Sequence, residues 1–162
     1  MVGVNMNIPL TCARIAALSI AAFAIGDHGG QAQESLVFGR WKMNPAKTND
    51  APKSETRVYE DRGGGFILST RQGVDSQGRE FFSQYAAKHD GKDYPRLVKG
   101  AKAVNTITFQ QVDPCTSTYI LKSDGKITAT GKTTLSKDGK ILTVETTNVN
   151  DGRVTAEVYD KQ

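Results

Sequence analysis

One phrase recurs along the chain: Asp90-Gly91-Lys92, Asp124-Gly125-Lys126, Asp138-Gly139-Lys140 and Asp151-Gly152-Arg153, each set between runs rich in Thr, Val, Ile and Tyr. Asp-Gly favours positive φ at both central residues of a turn. That is what a type I′ hairpin turn requires, because its twist matches the twist of the strands it joins. The last three repeats lie 14 and 13 residues apart, which predicts strands of about eight to ten residues joined by tight reversals. The pattern is that of an antiparallel meander.

Working outward from the turns places strands at residues 153–160, 141–148, 127–135 and 116–122. The earlier half follows the same plan, with strands at 53–60, 66–71, 79–87 and 104–112, a first strand at 35–44 and a short piece at 94–98. No stretch after residue 32 carries apolar residues at helical spacing for more than two turns. A meander of this kind leaves two unpaired edges, and joining them into a cylinder removes both. The expected fold is therefore all-β: an antiparallel up-and-down β-barrel of 8–10 strands, its interior filled by side chains or open to one small ligand. A two-sheet sandwich would need crossover connections that the short, regular turns do not provide.

The first 32 residues read differently. Arg14 precedes an apolar run at residues 15–25, followed by a polar stretch ending Gly30-Gln31-Ala32. The run is too short for the roughly 20 residues of a membrane-crossing helix and has the layout of a helical secretory signal peptide, with cleavage after Ala32 or, alternatively, after Ala24. The expected organisation is a leader at 1–32 and one barrel domain at 33–162, in the periplasm or outside the cell. Cys12 falls in the leader, so Cys115 is expected to stand alone in the mature chain as a small core or turn residue. The net charge of +4 is unchanged by processing, since Arg14 and Asp27 cancel. Positive and negative residues are interspersed, which argues against a nucleic-acid partner. The richest basic stretch, residues 88–102, reads as a solvated loop that can also meet an anionic partner.

The only tryptophan stands in Gly39-Arg40-Trp41, at the head of the first predicted strand, and the last strand ends Val158-Tyr159-Asp160-Lys161. This pairing resembles the calycin superfamily, the lipocalins and intracellular fatty-acid-binding proteins, and short stretches such as "GRWKMNPAK" and "DGKDYP" are similar to those of small secreted bacterial proteins. The resemblance implies that Trp41 plugs one end of the barrel beneath a basic side chain from near the C-terminus, Arg153 or Lys161. A cation over an indole face adds roughly 0.5–2 kcal/mol.

Two departures bear on cargo. Residues 45–52 are too few for the helical lid that fatty-acid-binding proteins insert after the first strand. Where those proteins place an arginine two residues before the last-strand tyrosine to hold a carboxylate, this chain has Glu157 before Tyr159. Strand parity is open: either Arg153, Thr155, Glu157 and Tyr159 face inward and make a polar lumen, or Val154, Ala156 and Val158 do. The same split divides Ile127, Ala129 and Gly131 from Thr128, Thr130 and Lys132, and a slip of one residue exchanges every face.

Nothing in the chain assembles an enzyme signature. His89 is the single histidine after the leader, so a histidine triad or a multi-histidine zinc site is hard to build. Gly63-Gly64-Gly65 reads as a hairpin turn, with no helix behind it to hold a phosphate. The expectation is a protein with no catalytic residues, no metal and no cofactor. Its barrel takes a small hydrophobic or amphipathic molecule against Tyr59, Phe66, Phe82, Tyr119 and Tyr159, without stable membrane insertion. The alternative is a filled barrel that binds a protein partner, or acts as an inhibitor, through residues 88–102 of its outer surface.

Overall fold

The computed structural model describes residues 36–49 and 51–162. The leader expected at 1–32 lies outside them. Ten strands follow one another in chain order: β1 (Gly39–Met43), β2 (Ser54–Asp61), β3 (Ile67–Val74), β4 (Glu80–Ala87), β5 (Asp90–Val98), β6 (Asn105–Asp113), β7 (Thr116–Ser123), β8 (Lys126–Leu135), β9 (Ile141–Asn148) and β10 (Val154–Lys161). Each pairs antiparallel with its neighbours in sequence, and β1 pairs with both β2 and β10, so the sheet closes. The fold is a ten-strand up-and-down β-barrel. Only a short 3-10 turn, Pro45–Lys47, interrupts the strand plan, its first N–H groups capped by the Asn44 side chain at 3.1 Å from Ala46 N.

The strands form because Thr, Val, Ile and aromatic residues alternate between a packed face and a solvated one. In β9, Leu142 and Val144 are buried while their neighbours are partly exposed. The turns are more varied than the repeated phrase suggests. Asp124-Gly125 is a true two-residue type I′ turn, with φ of 47° and 76°. At Asp138-Gly139 and Asp151-Gly152 only the glycine takes positive φ, within longer loops.

Asp90-Gly91 lies at the centre of the β4–β5 reversal, since Ser83 faces Val98 and Tyr85 faces Arg96, and only its glycine takes positive φ, 76°. Asp90 already pairs with Gln110 of β6, and the register against β6 shifts before Asp93 as a bulge. The Asp90 carboxylate accepts from Lys92 N at 3.1 Å, a local bond that holds the turn and the bulge that follows it. A second bulge puts Thr128 out of the β7–β8 ladder, where Leu121 faces Ala129 but Lys122 faces Ile127. In the full chain Cys115 is disulfide-bonded and not free.

Candidate functional site

Parity decides what the lumen is made of. In β10, Tyr159 is fully buried and pairs with Leu142 on one side and Met43 on the other, both core residues. Thr155, Glu157, Tyr159 and Lys161 therefore face inward, the polar alternative of the two that the sequence left open. In β8 the small residues Ala129 and Gly131 take the inner face, and the bulge at Thr128 sends Ile127 outward, where it is 45% exposed. Gly131 is required there by close approach. A Cβ on it would lie 2.2 Å from Tyr119 Cζ, because the tyrosine ring spans the gap and its hydroxyl donates to Glu145 O at 3.1 Å.

On this inner face the chain concentrates charge. Glu55 Oε1 accepts from Arg57 Nε at 2.9 Å and Arg71 Nε at 2.6 Å, and Oε2 accepts from a terminal nitrogen of Arg71 at 2.7 Å. Glu157 accepts from Arg57 at 2.6 Å and from Arg71 at 2.9 Å. The Tyr159 hydroxyl lies 2.5 Å from Glu55 Oε1 and 2.9 Å from Glu157 Oε2, and the Arg57 guanidinium stacks 4.7 Å from the Tyr159 ring centroid. Burial pushes the Glu55 carboxyl up, but Arg57, the bonds and charge of Arg71, and the Tyr159 hydroxyl pull harder, so its pKa falls below the ordinary value. Burial holds the Tyr159 hydroxyl protonated by raising its pKa. A side chain placed here without its partners would be a bare charge in a poor solvent, so the cluster forms as a unit.

Two cavities occupy the rest of the lumen. The larger, about 580 Å³, is mainly apolar and lined by residues that include Tyr59, Tyr85, Ala87, Phe109, Leu135 and Leu142. His89 also lines it, edge-on to Phe109 at 5.4 Å, and burial lowers its pKa. The smaller, about 290 Å³, is polar and includes Arg57, Arg71, Arg96, Tyr119 and Glu157. Tyr59, Tyr85, Phe109 and Thr133 line both, so the two chambers meet at an aromatic waist. Tyr85 and Phe109 pack there with ring centroids 5.4 Å apart.

The structure sorts the expected site residues. Tyr59 lines both chambers and Tyr119 the polar one. Tyr159 is in the lumen as part of the ion-pair cluster. Phe66 and Phe82 line neither chamber. Phe82 pairs across the ladder with Gln72, on the face opposite Ser83, while Phe66 precedes β3 and stacks edge-on with Tyr94 at 5.8 Å beneath the Lys88 ammonium. Trp41 is fully buried, and its Nε1–H donates to Val37 O at 2.7 Å. The cation above it is Lys161, 5.3 Å from the indole and bonded to Leu36 O at 2.6 Å. Assigning that role to Arg153 is corrected: Arg153 precedes Val154 at the far end of β10, a strand length from the indole.

Sequence reasoning missed Arg57, Arg71, Tyr85 and Phe109, and it placed Arg96 in a solvated loop where the structure has an inward-facing strand residue. The signal available was Glu55-x-Arg57-x-Tyr59, three polar side chains at period two in a strand, which would have put charge on a single face had parity been known.

Among the described residues, no group of three or more His, Cys, Asp or Glu side chains is placed to hold a metal ion, and no helix is long and apolar enough to cross a membrane. No protein-family model matches the chain. No curated protein matches it either. Among solved structures it is similar to a redesigned β-barrel at 16% identity and a TM-score of 0.49, covering 80% of this chain and 95% of that one. It is also similar to a second redesigned β-barrel, bound to DFHBI, at 17% identity and a TM-score of 0.44, covering 80% and 98%.

Proposed function

We propose that the protein is a calycin-like binding barrel that takes one small hydrophobic or amphipathic molecule into its lumen, acting in the periplasm or outside the cell, and that it is not an enzyme. The observation that carries the reading is the unfilled apolar chamber of about 580 Å³, within the roughly 300–1,000 Å³ of ordinary ligand pockets. Its walls are aromatic and aliphatic, and the polar chamber beside it supplies a few groups that would fix orientation. The carboxylates of Glu55 and Glu157 are already bonded by arginines, which favours a structural role for them over acid–base work. The alternative of a filled barrel acting through residues 88–102 draws less support, because two chambers occupy the lumen and Arg96 lines one of them.

Native mass spectrometry of protein purified from its own host, with a thermal-shift screen of lipids and aromatic compounds, tests the reading. A copurified small molecule or a raised Tm is expected; bare protein and a flat screen would count against it. The intact mass tests the leader. A chain beginning at residue 33 is expected, and a full-length chain would remove the leader.

A further inference from the structure

Three arginines face the polar chamber, and two of them are paired with carboxylates. All four carboxylate oxygens of Glu55 and Glu157 accept from Arg57, Arg71 or Tyr159. Arg96, which sits on the inner face of β5 opposite Tyr85, bonds none of them. Burial, then the like charges of Arg71 and Arg57, disfavour its charged form. A guanidinium does not deprotonate in a protein, so it keeps five N–H donors and a full charge. No described carboxylate bonds it. Counting the cluster with Arg96, three guanidinium groups face two carboxylates and leave one positive charge in a half-closed cavity.

We propose that Arg96 is the seat for one anionic group, so that the cargo is a monoanionic amphiphile, with a carboxylate or sulfonate in the polar chamber and its apolar body in the larger one. This rests on the luminal-binding reading above. The planar fork of Arg96 suits the paired oxygens of such a group. The hydroxyl of Ser83, buried beside it, also lines the chamber. A single surplus charge matches a monoanion better than a dianion, because a second negative charge would meet the Glu157 carboxylate with no cation to spare. The aromatic waist places the head and the tail in adjoining spaces.

Two dyes that differ by one group separate the possibilities: 8-anilinonaphthalene-1-sulfonate and its neutral counterpart N-phenyl-1-naphthylamine. Fluorescence titration is expected to show the sulfonate bound at least about ten-fold more tightly by the wild-type protein. In Arg96→Gln that preference should disappear, with the affinity for the neutral dye unchanged. Equal wild-type affinity for the two dyes, or a preference that survives in Arg96→Gln, overturns the anion site while leaving a luminal cargo standing. Binding of neither dye removes the cargo reading and this one with it. Lys99→Gln is the control, since Lys99 pairs with Glu80 on the outer surface. It should leave both affinities unchanged, and a loss there equal to that at Arg96 overturns the assignment. Displacement of the sulfonate by decanoate at a concentration at least about ten-fold lower than decanol requires is expected in the wild-type protein without any substitution. Equal displacement overturns the proposal.

Discussion

Glu55 is the residue on which the interior charge is balanced. Its side chain is fully buried against Arg57 and Arg71, whose own side chains are 12% and 30% exposed. Replacing it by Gln leaves two guanidinium groups short of their acceptor, and about 3 kcal/mol of stability should be lost in urea unfolding at neutral pH. Because the folded-state pKa of Glu55 lies below its ordinary value of 4.5, its ionised form contributes stability that is complete above that value. The contribution fades as pH falls through the lower, folded pKa. The wild-type protein should therefore lose stability on acidification below about pH 4.5 more steeply than Glu55→Gln does, and parallel acid limbs would contradict the depressed pKa. At the C-terminal end of β10, Lys161→Met should cost about 1 kcal/mol and shift the emission of the single indole, whereas Arg153→Met should leave that emission unchanged. A response of the indole to Arg153 instead would reverse the assignment.

At the scale of the strand and its turns, the sequence was most readable where chemistry and geometry coincide. Nine of the ten strands lie where alternation and turn residues put them, and β9 matches residue for residue. The misreadings have a common cause. Asp-Gly favours positive φ but does not say whether that φ serves a two-residue turn, a longer loop or a bulge, and the chain uses it for all three. Bulges also break period two inside a strand, so that Ile127 and Ala129 point to opposite faces although two positions apart. With polar residues on both sides of most strands, hydrophobic pattern could not choose the inner face. Only the paired ladder reveals that Glu55, Arg57, Arg71 and Glu157 converge from β2, β3 and β10. Gly131→Ala tests the tight β7–β8 packing. Its Cβ displaces the Tyr119 ring, and a loss of about 1–3 kcal/mol is expected in thermal unfolding, together with a changed near-ultraviolet signal from tyrosine. An unchanged Tm would mean that the ring is not held against the glycine.

The molecule as a whole is a cylinder whose polar and apolar contents are segregated along its interior. Closure through β1 removes both sheet edges, so every strand finds two partners. The indole, with Leu36, Val37 and Phe38 packed against the core, fills the space beside the apolar chamber. The ion-pair cluster adjoins the indole, Arg57 facing Trp41 across the β1–β2 ladder, and braces β2, β3 and β10. Beside these filled regions the two chambers stay open, and this distinguishes a vessel from a solid barrel. Ala87 is buried and its side chain borders the larger chamber, so a large side chain at that position enters empty space in the proposed structure. Titration of wild type and Ala87→Trp with N-phenyl-1-naphthylamine, alongside their thermal unfolding, measures that space directly. The account predicts one dye per wild-type chain, and an Ala87→Trp protein that keeps its Tm within a few degrees while binding none. A variant that unfolds because the site is already packed, or one that binds as the wild type does, would contradict it.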